Sequence, residues 1–183
     1  MTGFCEQVVK KKRTAKDNVM AVIYFLLAIG IPVTCILLAY VISAYFIYIG
    51  FFVLIAAIPS AIWMVSNQKI EYEYQVVDNF LVVDKVVAKR KRRKIIRVKI
   101  DEFKSIVKFN DENYNGKKIN KYYICIDELD NPNALAFNYY SDAKGNCALV
   151  IIPDEKILTG MRPKLTSELQ VQVIKMLREK NYE

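Results

Sequence analysis

The chain has 183 residues, of which 54% are hydrophobic and 25% are charged, and its formal net charge is +8. The hydrophobic fraction exceeds the roughly 45–50% of ordinary globular domains, and no charged residue occurs from Asn18 to Gln68. These features exclude a purely soluble globular chain. The four cysteines form no Cys-x-x-Cys pair and histidine is absent, so zinc sites and disulfide frameworks are not expected.

Residues 1–17 form a basic segment ahead of the uncharged stretch. Its clustered cations are Lys10, Lys11, Lys12, Arg13 and Lys16. Further cations, at Lys69 and in the run at 89–94, follow the uncharged stretch. Positive residues flank membrane spans mainly on the cytoplasmic side. We therefore expect the basic segment and the C-terminal part of the chain to be cytoplasmic, with both termini inside the cell.

Residues 18–68 are predicted to form a transmembrane helical hairpin. One helix over this stretch would be about 76 Å long, whereas the hydrocarbon core of a bilayer is about 30 Å thick. Two spans near 19–41 and 45–66 fit, which predicts a two-span protein of the cell membrane. A cleaved signal peptide would have a shorter apolar region. A transporter core would place ionisable groups beside helix-breaking residues such as Pro32 and Pro59, and this stretch has none.

Residues 69–183 are predicted to form a cytoplasmic domain of mainly antiparallel strands. Apolar and polar residues alternate along much of this part, as half-buried strands require. Seven strands are predicted, near 70–77, 80–87, 94–100, 104–109, 119–126, 134–140 and 147–152. A short helix from Glu155 and a longer one from Ser167 follow. The expected fold class is α+β, with the C-terminal helices covering an open end of a β barrel.

Two segments carry a resemblance to a known family. They are YEYQVVDNFLVVDKVVAKRKRRK at 72–94 and VIIPDEKILTGMRP at 150–163. Together with the basic N-terminus and the two spans, they resemble a family of small bacterial membrane proteins with a cytoplasmic pleckstrin-homology-like (PH-like) domain. The resemblance implies a two-helix transmembrane hairpin followed by a PH-like β barrel with C-terminal helices. The family is a domain of unknown function, so the resemblance carries over no functional residue.

The densest charge lies in AKRKRRKII, residues 88–96. The first predicted strand leaves the second span and the next strand returns, so we expect the turn at 88–94 to reach the bilayer surface. The predicted contacts to anionic headgroups of the cytoplasmic leaflet, or to an acidic partner, are Lys89, Arg90, Lys91, Arg92, Arg93, Lys94, Arg97 and Lys99. Without these eight residues the domain would be net negative. Its basicity therefore belongs to one edge.

The favoured function is a membrane-anchored, noncatalytic scaffold or regulator whose basic edge faces anionic lipid. An accessory subunit of a membrane protein complex is the alternative, in which an unidentified membrane or cytoplasmic protein is the partner. The basic run would otherwise serve only as a topology signal. Nucleic-acid binding is less favoured, because no helix-turn-helix, RNP or KH signature accompanies the cations. Neither an enzyme nor a cofactor is expected, since Gly-rich phosphate loops and nucleophile elbows are missing from the sequence.

Overall fold

A computed structural model describes residues 4–109 and 119–180. The segment DENYNGKK at 111–118, whose turn-forming residues predict a turn between the strands near 104–109 and 119–126, lies outside these described residues. The chain divides into two compact units. Lys12–Ile70 form one unit, whereas Met1–Lys11 and Glu71–Glu183 together form the other. The β unit is therefore discontinuous in sequence, because the first residues of the predicted basic segment belong to it.

The helical unit contains helices α1 (Ala15–Val41) and α2 (Tyr45–Asn67). Both are long and apolar enough to cross a membrane, and both are mostly exposed. Even the shorter helix, with 23 residues, is about 35 Å long at a rise of about 1.5 Å per residue. These bounds agree closely with the spans predicted near 19–41 and 45–66.

Small residues mediate the packing between the two helices. The buried positions are Ala28, Pro32, Gly50 and Ala61. A Cβ atom at Gly50 would lie 3.1 Å from the Cys35 Cβ atom and 3.2 Å from the Pro32 carbonyl oxygen. Ala and Gly at such positions let the two helix backbones approach closely.

An N-terminal strand is the main element that the sequence did not predict. Cys5–Lys10 form β1, which pairs antiparallel with β2 (Ile70–Val77). The register places Lys10 beside Glu71. The chain thus runs from β1 through both helices to β2, and β2 pairs with β1.

The Gln7 side chain ties β1 to the rest of the β unit. Its amide nitrogen donates to the Ile152 carbonyl oxygen at 2.9 Å, and its amide oxygen accepts from the Asp154 backbone N–H at 2.8 Å. Both partners are distant in sequence and partly buried. Because β1 is an outer strand, these two bonds add to the single ladder of backbone hydrogen bonds that it shares with β2.

The first four strands form sheet A in the order β1-β2-β3-β4. β3 spans Phe80–Val87 and β4 spans Lys91–Lys99. A two-residue turn joins β2 to β3, with Asp78 at a φ of 51°, as hairpin turns of this length require. The inner face of the sheet is part of the core and contributes the buried side chains Tyr72, Tyr74, Val76, Leu81, Val83 and Val98.

The other four strands form sheet B in the order β5-β7-β8-β6. Their bounds are Phe103–Lys108 for β5, Lys121–Ile124 for β6, Leu135–Ser141 for β7 and Gly145–Ile151 for β8. The prediction of seven strands closing a barrel is wrong in two respects. The described residues contain eight strands, and these form two four-stranded sheets. The prediction of a mainly antiparallel domain is confirmed, although β6 pairs with β8 in parallel.

Sheet B is buried on both faces at its centre. Phe137 and Leu149 lie on one face and are fully buried. The opposite face carries a second cluster of buried residues, which consists of Ile126, Ala134, Ala136, Ala148 and Val150. The near-continuous apolar runs of β7 and β8 suit strands that are covered on both sides, and they explain why these strands occupy the centre of the sheet.

Two helices follow the strands, as predicted. They are α3 (Glu155–Met161) and α4 (Ser167–Lys180). The Asp154 carboxylate caps α3 by accepting from the Ile157 backbone N–H at 2.8 Å. Leu169 and Val173 of α4 are buried, as is Leu165 just before the helix, so α4 contributes one apolar face to the core.

The discontinuity of the β unit predicts the behaviour of two shortened chains. Because Lys10 and Glu71 are register partners, a two-residue Asn-Gly turn in place of residues 11–70 can join β1 directly to β2. We expect this linked chain to unfold cooperatively on heating. A matched chain that begins at Glu71 lacks β1 and exposes β2 as an unpaired edge, so we expect it to melt at a lower temperature or aggregate. Equal melting temperatures by circular dichroism would show that β1 contributes no stability.

Candidate functional site

The basic run lies at the junction of β3 and β4. The sequence predicted a turn over residues 88–94, but only residues 88–90 connect the strands, and Lys91–Lys94 already belong to β4. β4 is an outer strand of sheet A, so its cations lie along a sheet edge. Charged residues on an edge strand also discourage edge-to-edge aggregation, which gives this run a structural role beside any binding role.

The tip of this hairpin has a left-handed backbone. Ala88 and Lys89 have φ values of 54° and 55°, and the Arg90 N–H donates to the Val87 carbonyl oxygen at 3.0 Å. Two consecutive left-handed residues are typical of a type I′ turn, where Asn and Gly are favoured. A residue with a Cβ atom loses roughly 1 kcal/mol in this conformation. The pairing of β3 with β4 therefore keeps Ala88 and Lys89 in a left-handed backbone conformation that these residues disfavour on their own.

Two buried carboxylates face the start of β4. Glu73 is 9% exposed and Asp84 is 8% exposed, and the two-residue turn between β2 and β3 places them opposite each other on one face of the sheet. Arg92 forms an ion pair with Glu73, and Lys94 is the register partner of Asp84. The Arg92 charge thus offsets buried negative charge.

Two more of the predicted contact residues have partners near the far end of β4. The Arg97 guanidinium lies 3.9 Å from the centre of the Phe80 ring. The Lys99 ammonium lies 3.9 Å from a Glu102 carboxylate oxygen. Arg97 is also six residues beyond Lys91, which is roughly 20 Å along an extended strand. These two cations therefore belong to a different part of the surface from the hairpin tip.

The remaining five predicted residues carry uncompensated charge. In the described part of the chain, no side-chain hydrogen bond or ion pair is found for Lys89, Arg90, Lys91, Arg93 or Lys94. All five are exposed. They lie in the hairpin turn and in the first residues of β4, where their positive potential extends into solvent.

Two further cations lie at the same end of sheet A and were not predicted as part of the site. Because β1 is antiparallel to β2, Lys10 and Lys11 are placed where β2 begins and where the β3–β4 hairpin has its tip. Both are exposed. The sequence CEQVVK does not alternate strictly, so periodicity alone did not mark β1. We call the end of sheet A formed by Lys10, Lys11 and residues 88–94 the basic end.

A cavity of about 1050 Å³ lies around the far end of β4. Its charged lining residues are Arg97, Lys104, Lys144, Asp101, Glu102, Asp142 and Glu168. The Lys144 ammonium donates to the Tyr123 hydroxyl oxygen at 2.6 Å, and this hydrogen bond raises the pKa of Lys144. Positive and negative charges nearly balance in this lining. The cavity therefore lacks the excess of positive charge that the basic end carries.

Buried phenol and thiol groups lie against the inner face of sheet A. The Tyr74 hydroxyl donates to the Cys125 carbonyl oxygen, and burial raises the pKa of Tyr74 above its ordinary value. Burial also raises the pKa of the Cys125 thiol to about 12, so this thiol stays protonated and inert near neutral pH. Within residues 4–109 and 119–180, no cluster of three or more His, Cys, Asp or Glu is found that could hold a metal ion.

The backbone of the hairpin tip predicts that glycine stabilises it. Changing Ala88 and Lys89 together to Gly removes the left-handed penalty at both positions, while the more flexible unfolded chain opposes part of this gain. We expect the free energy of unfolding to rise by about 1 kcal/mol. Arg90→Gly is the control, because the φ of Arg90 is not positive, and we expect it to be neutral or destabilising. Urea denaturation of the Asn-Gly-linked chain measures the free energy of unfolding of both variants. If the double variant is no more stable than Arg90→Gly, the left-handed backbone at Ala88 and Lys89 is not strained.

The ion pair predicts unequal effects for two arginines of the same run. Arg92→Gln leaves Glu73 buried beside Asp84 without its partner, and we expect a loss of roughly 2 kcal/mol, moderated because the Arg92 side chain is 57% exposed. Arg90→Gln removes the same group from an unpaired position and should change stability by less than about 0.5 kcal/mol. Adding Glu73→Gln to Arg92→Gln should restore part of the loss. Equal denaturation midpoints for the two single variants would contradict this assignment.

Comparison with known proteins places these features in a family. Residues 1–171 match the family model described as bacterial PH-like domain (DUF6106), a range that includes β1, both helices of the helical unit and all the strands described above. No curated protein and no solved structure matches the chain. The family match confirms the resemblance drawn from the sequence, and it shows that the chain belongs to the bacterial PH-like domain family DUF6106.

Proposed function

We propose that this protein is a membrane-anchored, noncatalytic PH-like module, a scaffold or regulator whose basic end engages anionic lipid of the cytoplasmic leaflet. One observation carries the proposal. The unpaired cations lie at the end of sheet A where β1 ends and β2 begins, and these are the points at which the chain continues into α1 and from α2. The site and both connections to the proposed membrane anchor thus share one end of the β unit.

The proposed topology has α1 and α2 as membrane spans with both termini in the cytoplasm. Its support is the length and apolar composition of the two helices and the cations on both sides of the uncharged stretch. Such cations favour the cytoplasmic side during insertion. The β unit, which contains both the first and the last residues of the chain, would then lie wholly in the cytoplasm next to the anionic leaflet.

The magnitude of the lipid interaction indicates what it would do. Each Lys or Arg near an anionic membrane surface contributes about 1 kcal/mol, whereas two membrane-spanning helices already anchor the chain permanently. Recruitment therefore does not need the basic end. Five uncompensated cations at the hairpin are enough to hold the tethered domain in one orientation, which would present its opposite surface to partners in the cytoplasm.

A noncatalytic role is supported by the chemistry of the buried groups. The phenol of Tyr74 and the thiol of Cys125 have pKa values raised well away from neutrality by burial. Groups that serve as nucleophiles or bases generally have pKa values shifted toward the working pH. The shifts in this domain have the opposite direction and reflect core packing.

An accessory subunit of a membrane complex is the second candidate function. The observation that favours it is the cavity of about 1050 Å³ at the far end of β4, which carries charges of both signs. A mixed polar lining of this kind suits a protein surface better than a lipid headgroup. In this role the basic end would orient the domain and the cavity would receive the partner.

Hydrogen exchange of the full chain tests the lipid interaction directly. The protein is reconstituted in nanodiscs of neutral phosphatidylcholine, or of phosphatidylcholine mixed with anionic phosphatidylglycerol. We expect the amides of residues 88–91 to exchange more slowly in the anionic discs, and this protection to fall as salt screens the charges.

Two matched variants control this experiment. Lys89→Gln with Arg90→Gln removes two unpaired cations, and we expect it to abolish most of the added protection. Arg97→Gln with Lys99→Gln removes two cations that have partners within the domain, and we expect protection to remain. Equal exchange of residues 88–91 in neutral and anionic discs would refute the proposed lipid contact.

A further inference from the structure

The basic end consists of two clusters of cations from opposite edges of sheet A. One cluster is Lys10 and Lys11 at the end of β1, and the other comprises the unpaired cations of the β3–β4 hairpin. β1 and β4 are the two outer strands of the sheet. Three strand spacings separate them, which corresponds to roughly 14 Å. The two clusters are distant in sequence. They lie at the same end of sheet A because β1 pairs with β2.

Carboxylates lie between the two clusters. Glu71 is the register partner of Lys10, and Glu73 and Asp84 continue the same face of β2 and β3. Among the ion pairs of the described residues, Glu73 is the one of these three carboxylates that pairs with a hairpin cation, through Arg92. An anion placed midway between the clusters would meet this negative charge at close range. The electrostatics of the basic end therefore favour two separate anions, one at each edge, over one anion at the centre.

The spacing also indicates the kind of ligand. The backbones of β1 and β4 are roughly 14 Å apart, so a single small anion shared by both clusters would lie above the carboxylates of β2 and β3, which repel it. The surface of an anionic bilayer presents many phosphate groups in one plane, and two of its lipids can be contacted at once. Joint contact would strengthen binding beyond either cluster alone, because the second contact is intramolecular after the first.

From this arrangement, and resting on the function proposed above, we infer that the basic end is a composite site for at least two anionic lipid headgroups. The hairpin cations contact one headgroup, and Lys10 and Lys11 at the end of β1 contact another. The N-terminal cations thus act in lipid binding in addition to any effect on topology. The pairing of β1 with β2 makes the two contacts a single rigid surface.

Nanodisc exchange measurements on the full chain separate the two clusters. Three variants each lose two cations: Lys10→Gln with Lys11→Gln, Lys89→Gln with Arg90→Gln, and the control Arg97→Gln with Lys99→Gln. The readout is the exchange of amides 88–91, which are remote in sequence from the β1 substitution. Unchanged exchange of β2 amides in neutral discs checks that β1 still pairs in the Lys10 and Lys11 variant.

We expect the Lys10 and Lys11 variant to lower the protection of residues 88–91 in anionic discs by roughly thirtyfold, since two cations near an anionic surface are removed. The control should retain protection. Protection in the unsubstituted chain should also rise more steeply than linearly with the fraction of anionic lipid. Inorganic phosphate added to neutral discs should not protect residues 88–91, because a single ion does not contact both clusters of cations.

The outcomes distinguish the composite site from the simpler lipid contact. If the Lys89 and Arg90 variant loses protection but the Lys10 and Lys11 variant does not, the composite site is refuted and the hairpin contact stands. Protection by inorganic phosphate alone would also refute the composite site, in favour of a single anion site. If anionic lipid protects residues 88–91 in no case, both the composite site and the proposed function fail.

Discussion

The pairing of β1 with β2 is the constraint on which the rest of the structure depends. One of these strands precedes the helical unit in sequence and the other follows it, and their six register pairs close a long chain segment. The entropy of closing a loop grows only slowly with its length, so an inserted pair of packed helices adds little to this cost. The closure fixes where both connections leave sheet A. It also places Lys10 and Lys11 at the same end as the β3–β4 hairpin.

Not every cation of the basic run at 89–94 is available to a ligand, because Arg92 is already paired with Glu73. Successive residues of a strand point to opposite faces, so the cations of β4 are divided between two environments. Arg92 lies on the face that carries Glu73 and Asp84, and it offsets their buried charge. The tip residues extend past the paired region and have no such carboxylate neighbours among the described residues. A run of six cations in sequence thus becomes a smaller group of unpaired ones and a structural ion pair.

The architecture of sheet B shows the limit of reading strands from periodicity. Alternation and turn residues predicted each of its strands to within a few residues, because those signals are local. The parallel pairing of β6 with β8 brings together segments that are separated by the whole of β7, and no local signal specifies such a partner. The predicted barrel was wrong because the described strands form two separate four-stranded sheets, although the seven predicted strands were correctly located.

The sequence by itself determined the two apolar helices, the mainly antiparallel β domain, the C-terminal helices and the family. The helices and strands depend on composition, periodicity and capping residues over consecutive positions. The family was identified from the resemblance of the segments at 72–94 and 150–163. Tertiary structure decided the membership of β1 in the domain, the two open sheets, and which cations remain unpaired. These features depend on contacts between residues far apart in the chain, such as Gln7 with Ile152 and Arg92 with Glu73. Their energies exist only after the strands have been brought together, and therefore leave no periodic trace in the sequence.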